Sequence, residues 1–504
     1  MSDQLRTTTK PLNVVMVVDN AIVGDSRVIK SAMAVVKSGH KVTLLGTDLG
    51  KEKPAIPGVT VKLMPNLDPK TLTQKDSVIE KILFRCASII CFTGYRSKSA
   101  IISKSEQLGK QRASIKRHGG KKSPTGILLL CVFYFTKLVH TVRLRFSTLK
   151  EKLHKKIRHL FANRKAQQQS KSDPHTNSSR KDYPTINAHF ERAFVQAIVD
   201  LEPDVIHSHD YKCVSVGALA KEQLLNKGKD VYWIYDAHEF LPGLAQYSEA
   251  WREAQCTNEA TYIGEADLVI TVSEKIAQML QERHHLNHQP KVVLNAPTVR
   301  DAIKCSRNLR QDCGIDSDAP LAIYLGGVTP LRGLDVVVLA LVSIPELHVC
   351  LVATRNVHVD NLETKAAEAG VIDRLHVVPY VAPNEIVDYI KTATVGLVPL
   401  LYSLNHASAL PSKFYEYANA GIPIVGSDVE IVAQVLKQTK VGEVFKAGDD
   451  ADFTRALQLV LSNPNQYSSN YANSGLMEQT WENQEVVLCS IYETFASKGH
   501  QSNQ

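Results

Sequence analysis

The most constraining feature of the sequence is a repeated alternation of short apolar runs with longer amphipathic stretches. Helix-compatible stretches at 27–38, 186–201 and 214–226 lie between runs rich in β-branched residues. The runs of the N-terminal half are NVVMVVD (13–19), KVTLLG (41–46), VTVKLM (59–64), DVIHSH (204–209), VYWIYD (231–236) and DLVITV (267–272). The alternation predicts an α/β fold, with a parallel sheet covered by helices on both faces.

A second series of apolar runs occupies the C-terminal half. Its members are LAIYLGG (321–327), LHVCLVA (347–353), LHVVPY (375–380), VGLVPL (395–400), PIVGSD (423–428) and VGEVF (441–445). The polar, turn-rich stretch 298–318 between the two series suits a hinge. We therefore predict two Rossmann-like domains, 1–297 and 298–478, that face a central cleft. We expect residues 479–504 to form a helix that packs back on the N-terminal domain.

The positive charge of the chain is concentrated in one segment. The net charge is +8, but residues 96–181 contain 22 Lys and Arg against 3 Asp and Glu, so the remaining residues carry −11. The total therefore gives no indication of nucleic-acid binding, and we expect no nucleic-acid partner. This basic segment lies in an insertion, about 80–185, that interrupts the N-terminal series.

Two apolar patches, 82–92 and 126–139, lie within this insertion. Each is shorter than the roughly 20 apolar residues that a transmembrane helix requires. Short apolar faces beside dense positive charge are typical of a helix that lies on an anionic membrane, which is the interpretation we favour. The alternatives are a basic helical hairpin packed on the protein and a disordered insertion.

Cysteine usage and the N-terminal residues bear on the compartment. The nine cysteines include no C-x-x-C pair, so neither a disulfide framework nor a zinc knuckle is indicated. The opening MSDQLRTTTK is polar and no apolar core follows it, unlike a secretory signal. We expect a cytoplasmic protein that is peripheral on the cytosolic face of a membrane.

One stretch of the C-terminal half, ALPSKFYEYANAGIPIVGSD (409–428), predicts a short helix before a buried strand. Pro411 and Ser412 signal its start, and Gly421 signals its end. Lys413 and Glu416, three residues apart, share one face of this helix. Because a helix N-terminus that follows a strand is a favoured phosphate site, the stretch indicates a phosphate-bearing ligand.

Four motifs in order resemble glycosyltransferase family four. They are NVVMVVDNAIVGDSRVIKSAMAVVKSGHKVTLLG, the pair DVIHSHD and YDAHEF, IYLGGVTPLRGL, and PSKFYEYANAGIPIV. The resemblance covers the chain except the insertion. It implies the two-domain GT-B fold and transfer of a sugar from a nucleotide-sugar, generally with retention at the anomeric carbon. Our first hypothesis is that the acceptor is a glycan or a lipid-linked acceptor, as in polysaccharide or glycoconjugate biosynthesis.

The resemblance places Glu416 where the family's glutamate holds the ribose hydroxyls of the donor. A carboxylate suits this role because it accepts charge-assisted hydrogen bonds; the alternative is a surface pair with Lys413. Relatives often have a second glutamate eight positions earlier, where this chain has Ser408. Sugar contacts would then come from backbone amides at Ser408, Ala409 and Leu410, or from the side chains of Asn405 and His406.

The chain also differs from many relatives at a position whose side chain would carry positive charge next to the donor diphosphate. Many relatives have an arginine just after the first glycine of GGVTPLRGL, where this chain has Gly327. The resemblance leaves Arg332 and Lys413 as the cationic pair, positioned to stabilise the leaving diphosphate. A solvated turn is the alternative for Arg332.

The first strand–helix loop contributes Gly24, which would let the backbone approach the phosphate or sugar closely. The neighbouring residues Asp25 and Arg27 either belong to the same ligand site or cap and brace the helix that follows; the sequence leaves both interpretations open.

His209 and His238 fall at the carboxyl ends of predicted strands, where α/β sites assemble. Either can donate a hydrogen bond to a sugar hydroxyl or a phosphate, or merely satisfy a loop carbonyl. A retaining mechanism needs no enzyme base beside the anomeric carbon. If transfer were inverting, Asp210 and Glu239 would be the first base candidates.

Metal-like patterns are present but poorly placed. DSD (316–318) and DAD (450–452) precede predicted elements, which favours turn and cap roles, and RHHLNH (283–288) lacks rigid spacing. We expect neither a metal nor a cofactor.

Two alternatives to a transferase remain open: a sugar-nucleotide 2-epimerase, and a donor-binding scaffold without catalysis.

Overall fold

The N-terminal sheet has the parallel arrangement that the first series of apolar runs predicts. In this computed structural model, which describes residues 11–66, 187–245, 247–299 and 304–501, seven parallel strands hydrogen-bond in the order β3-β2-β1-β4-β5-β6-β7. The strands are β1 (Asn13–Val17), β2 (Lys41–Thr47), β3 (Val59–Met64), β4 (Val205–His209), β5 (Tyr232–Ala237), β6 (Leu268–Thr271) and β7 (Lys291–Val292). The helices around this sheet are α1 (Ser26–Lys37), α2 (Ala188–Asp200), α3 (Val214–Asn226), α4 (Glu249–Tyr262) and α5 (Glu274–His284).

The C-terminal sheet is also parallel, in the order β10-β9-β8-β11-β12-β13. Its strands are β8 (Leu321–Leu325), β9 (His348–Val352), β10 (Leu375–Val378), β11 (Val395–Val398), β12 (Ile424–Ser427) and β13 (Gly442–Phe445). The accompanying helices are α6 (Leu309–Cys313), α7 (Val336–Ser343), α8 (Val357–Glu368), α9 (Ile386–Ile390), α10 (Leu404–Ser408), α11 (Ser412–Ala420), α12 (Glu430–Thr439), α13 (Asp450–Ser462), α14 (Pro464–Ser468) and α15 (Trp481–Gln501). The predicted α/β fold with two parallel sheets is confirmed.

Strand order reverses beside the first strand of each sheet, because β1 lies between β2 and β4 and β8 lies between β9 and β11. Such a switch point leaves a crevice at the carboxyl ends of the strands, where α/β proteins bind ligands. All residues of β4 and β8 are buried, which explains why β8 is a continuous apolar run rather than an alternating one.

The last helix, α15, packs on the N-terminal sheet and not on its sequence neighbours. Its residues Trp481, Leu488 and Tyr492 share a buried cluster with Met16 of β1. The Trp481 N–H donates to the Pro297 carbonyl at 2.7 Å, beside the first crossing between the two halves. The chain therefore passes between the halves at two adjacent places.

The expected hinge contains a short helix, α6, that its composition does not predict. The Asn308 side chain caps this helix by accepting from Arg310 and Gln311, and Gly314 ends it with a φ of 63°. Residues 300–303 lie outside the described part of the chain.

The whole of the predicted insertion, about 80–185, with its segments 82–92, 96–181 and 126–139, also lies outside the described residues. Among the helices that the structure does describe, none has the length and apolar character needed to cross a membrane.

Candidate functional site

A cleft of about 740 Å³ opens where the carboxyl ends of the two sheets meet. The N-terminal half lines it with Asn20, Gly24, Asp25, Arg27, Lys30, His238 and Glu239, among others. The C-terminal half lines it with residues that include Gly326, Gly327, Tyr380, Lys413 and Glu416. The cleft continues into a chamber of about 410 Å³ that adds Arg332, Asn405, His406, Ala409 and Leu410.

Lys413 places its amino group inside the cleft without an acidic partner among the described residues. Its side chain lies in the first turn of α11, only 6% of the residue is exposed, and its Nζ lies 3.6 Å from the centroid of the Tyr324 ring. No described carboxylate pairs with it. Burial, and then Arg332, lower the pKa of the ammonium well below its usual value, while Glu416 opposes them. A buried, unpaired cation is strongly favourable for an anion that enters the cleft.

Glu416 lies one turn after Lys413 on the same helix and faces the same cleft. Burial raises the pKa of its carboxyl group, whereas Lys30 and Lys413 lower it. Within the described part of the chain, its oxygens accept no hydrogen bond. They are available to hydroxyl groups of a ligand.

The glycine turn after β8 brings backbone close to Lys413. Gly326 has a φ of +101°, and a Cβ built on it would lie 3.9 Å from the Lys413 Nζ. The Tyr324 hydroxyl donates to the Gly327 carbonyl at 2.9 Å and so fixes the turn. Arg332 ends the 3-10 turn that follows and lines the chamber.

Ser408 does not present its side chain to the cleft. Only 1% of the residue is exposed, and its hydroxyl donates to the Leu404 carbonyl at 2.7 Å within α10. The two residues that follow it, Ala409 and Leu410, line the chamber, and the Ala409 N–H donates to the Asn405 carbonyl at 3.2 Å. Sugar contacts from the backbone amides of Ser408, Ala409 and Leu410 stay a prediction.

Asn405 and His406 line the chamber but are already engaged. The Asn405 Oδ1 accepts from the Phe240 N–H at 2.9 Å, across the two halves, and the His406 Nδ1 lies 2.8 Å from the Leu401 carbonyl oxygen.

His238 and His209 surround one buried carboxylate, that of Asp236. The His238 Nε2 lies 3.4 Å and the His209 Nδ1 3.2 Å from Asp236 Oδ2. Burial lowers the pKa of His238, but Asp236 outweighs it and raises the pKa to about 9. His238 is thus an imidazolium at neutral pH, with 17% of its side chain exposed toward the cleft.

His209 is fully buried behind His238 and does not line the cleft. Burial, and then His207, lower its pKa well below the usual value. The expected direct hydrogen bond from His209 to a sugar does not fit this position. His209 is placed to orient His238, since its Nδ1 lies 3.4 Å from the His238 Nε2.

The first loop separates its residues into two roles. Gly24 lines the cleft with a φ of +82°, as close backbone approach requires. Asp25 caps α1 by accepting from the Val28 N–H at 3.2 Å. Arg27 forms a two-pronged ion pair with Asp236, at 2.9 and 2.8 Å. Capping and bracing are therefore the observed interactions of Asp25 and Arg27.

Sequence reasoning missed Lys30, which lies one helical turn after Arg27. Its Nζ donates to Asn295 Oδ1 at 3.2 Å and to the Ala296 carbonyl at 2.6 Å, and lies over the Trp481 ring. Burial, and then Arg27, lower the pKa of Lys30 to about 7. Its spacing from Arg27 on one helix face was the available signal.

The remaining acidic candidates near the cleft are Asp210 and Glu239. Burial raises the pKa of Asp210 to about 7, with His238 opposing and Asp19 reinforcing the shift. Glu239 lines the cleft, and burial raises the pKa of its carboxyl group, opposed by His238 and Arg332.

Potential metal ligands converge at His207, His209 and Asp236, whose ligand atoms lie within 4.8 Å of one another. Two of these residues are also engaged with protein groups, because Arg27 contacts both Asp236 oxygens and His207 Nδ1 lies 2.7 Å from the Tyr492 hydroxyl. The expectation that the chain holds no metal stays a prediction.

The patterns noted in the sequence lie away from the cleft lining. Residues 450–452 open α13, residues 316–318 form a turn before β8, and His284 pairs with the buried Glu259 at 3.0 Å.

Two family models match the chain. Residues 306–475 match the model described as glycosyl transferases group 1, and residues 140–296 match the model described as glycosyltransferase family 4. Among curated proteins, the chain is 25% identical over 316 residues to the D-inositol 3-phosphate glycosyltransferase of Mycolicibacterium gilvum (strain PYR-GCK), covering 56% of this chain and 68% of the relative. It is 24% identical over 297 residues to the protein of the same name from Acidothermus cellulolyticus, covering 54% of this chain and 63% of the relative. The chain thus spans about two thirds of these relatives.

Solved structures resemble the whole architecture. Sucrose-phosphate synthase from Thermosynechococcus elongatus superposes with a TM-score of 0.62 at 14% identity, covering 97% of this chain and 100% of that one. HepE from Anabaena, solved with UDP and glucose, superposes with a TM-score of 0.58 at 12% identity, covering 96% and 100%. At these identities the likeness shows the fold.

Proposed function

Because this chain belongs to glycosyltransferase family four and has the GT-B fold, we propose that it transfers a sugar from a nucleotide-sugar donor to a glycan or lipid-linked acceptor, with retention. The observation that carries the donor class is the buried ammonium of Lys413, which has no carboxylate partner among the described residues. A diphosphate supplies the charge that this group lacks.

Different parts of the donor bind to different groups that face the cleft. Lys413 and Arg332 bind the diphosphate, and the backbone at Gly326 and Gly327 lets it approach closely. Glu416 accepts hydrogen bonds from the ribose hydroxyls, since its oxygens have no other donor within the described residues. UDP-sugars are the first donors to test, because HepE was solved with UDP and glucose.

Transfer proceeds by cleavage of the bond between the anomeric carbon and the diphosphate oxygen. The acceptor oxygen bonds to the anomeric carbon on the face that the diphosphate leaves, and its proton passes to a leaving phosphate oxygen. Negative charge grows on the diphosphate, so Arg332 and Lys413 bind it more tightly in the transition state. His238, an imidazolium at neutral pH, donates to the sugar or to the leaving group from the opposite wall.

The test of the donor site compares Lys413→Met with Lys437→Met, an exposed lysine on α12. We expect UDP to raise the melting temperature of the wild type and of Lys437→Met, and to lose most of this effect in Lys413→Met. The free protein should remain folded in Lys413→Met, since removal of an unpaired buried charge does not destabilise it. Equal UDP affinity in Lys413→Met and wild type would contradict the assignment.

The activity itself is tested by incubating UDP-sugars with the protein and a membrane extract. Radiolabel that moves to lipid or glycan supports transfer. An epimerised sugar nucleotide would identify the alternative enzyme, and binding without turnover would identify a scaffold.

A further inference from the structure

Three aromatic side chains form a shelf on the N-terminal half, which we define as Tyr211, Tyr247 and Trp251. The Tyr247 and Trp251 rings stack with centroids 3.9 Å apart and an interplanar angle of 22°. Tyr211 meets Trp251 edge-on, with ring centroids 5.6 Å apart. Tyr247 is 40% exposed although its ring is held in place, so the shelf offers a rigid apolar surface to solvent.

Two of the residues of this aromatic shelf lie close along the chain to residues at the cleft. Tyr211 follows Asp210 at the carboxyl end of β4, beside the strand that ends near His238. Tyr247 ends the loop that begins with His238 and Glu239, both of which line the cleft. That loop is anchored by the hydrogen bond from the Phe240 N–H to Asn405 Oδ1. None of the three aromatic residues lines the cleft or the chamber where the donor is proposed to bind.

The polar groups beside the aromatic shelf are acidic. Asp19 lies close enough to Asp210 to add to the rise in the pKa of Asp210 that burial causes, and both carboxyl groups also raise the pKa of Tyr211. The neighbouring cation, Lys212, is already paired with Asp19 at 2.5 Å. A phosphate placed here would meet the carboxyl groups of Asp19 and Asp210, with no cation between them except a lysine already paired with Asp19, whereas sugar hydroxyls would find oxygen acceptors.

Resting on the glycosyltransferase function proposed above, we infer that the aromatic shelf is an acceptor subsite that binds a neutral pyranose ring of a glycan. The apolar C–H face of the ring packs on the exposed Tyr247, while its hydroxyl edge faces Asp19 and Asp210. The curated relatives are named for a phosphorylated acceptor, inositol 3-phosphate. The charge beside the aromatic shelf favours an uncharged glycan in this chain.

The test measures glycan binding directly, on an array of neutral oligosaccharides and their phosphorylated counterparts, with the full-length protein. We expect at least one neutral glycan to bind wild type, and Tyr247→Ala to weaken it by about tenfold. Tyr247→Phe should retain most of the binding, since the stacking face is kept. The matched control is Tyr402→Ala, which removes a 68% exposed tyrosine outside the aromatic shelf and should bind as wild type does.

Three results would overturn the inference: no neutral glycan bound, binding unchanged in Tyr247→Ala, or preference for the phosphorylated counterparts. Melting temperatures of both alanine variants establish that each is folded. UDP-induced stabilisation of Tyr247→Ala separates the two proposals. If UDP binds normally and the glycans do not, only the acceptor subsite fails; if UDP does not stabilise wild type, the proposed function fails on its own.

Discussion

At the scale of single residues, the cleft is defined by charges whose partners are missing or shared. Lys413 is buried without a carboxylate, while the Asp236 carboxylate is shared by Arg27, His209 and His238. Glu416 and Lys413 could be predicted from sequence because both lie within one recognisable short motif. The role of Asp236 could not, because it depends on side chains more than 200 residues apart in sequence meeting at one point.

The raised pKa of His238 predicts a specific pH dependence of stability. Its folded-state pKa of about 9 exceeds the ordinary 6.5, so its contribution is complete below pH 6.5 and is lost as the pH rises through about 9. His238→Gln should remove this loss. We expect the difference in unfolding free energy between wild type and variant to fall by up to about 3 kcal/mol across that window.

Urea unfolding at a series of pH values measures this difference. Taking the difference between the two proteins cancels other groups that titrate nearby, such as Lys30, whose lowered pKa has the opposite sign. A difference that stays constant between pH 6.5 and 9 would mean that His238 is not held as an imidazolium.

At the scale of elements, the strands were the most predictable part of the fold. Runs such as 41–46 and 375–380 are short and mostly apolar, and they correspond to β2 and β10. The sequence pattern does not predict β7, because two residues give no periodicity. It does not predict α6 either, because the five residues of this helix lie in a polar stretch that suits a hinge. What periodicity cannot reveal is which distant helix supports the site.

The α15 helix provides such support, and its Tyr492 gives a prediction. The Tyr492 hydroxyl lies 2.7 Å from the His207 Nδ1, in a fully buried pair behind Asp236. Tyr492→Phe leaves that imidazole nitrogen without its partner, so we expect a loss of about 1–2 kcal/mol in unfolding free energy. Ser490→Ala, at an exposed position of the same helix, should change stability little. Denaturant unfolding of both variants checks this, and equal midpoints would show that the buried contact is dispensable.

At the scale of the whole molecule, the uneven charge of the chain predicts that the protein binds its acceptor at the surface of an anionic membrane. The net +19 of residues 96–181 should draw the protein to vesicles that contain phosphatidylglycerol, and binding should fall as salt rises. Cosedimentation with acidic and neutral vesicles across a salt series is the measurement. A variant with the basic residues of 150–165 replaced by glutamine should lose vesicle binding but keep UDP binding. If wild type ignores acidic vesicles at low salt, the membrane interpretation of this segment is wrong.

The two adjacent crossings between the halves limit how the cleft can open. Near Pro297 the chain leaves the N-terminal half, and at Trp481 it returns, with the two strands of backbone joined by a hydrogen bond of 2.7 Å. A second hydrogen bond holds the two crossings together: the Val299 N–H donates to the Glu482 carboxylate at 2.9 Å. Because the two crossings lie side by side, we expect the halves to rotate about one axis near Pro297 and Trp481 once the hydrogen bond from the Phe240 N–H to Asn405 breaks. Such a rotation would return His238 on one wall and Lys413 on the other to the same alignment each time the cleft closes.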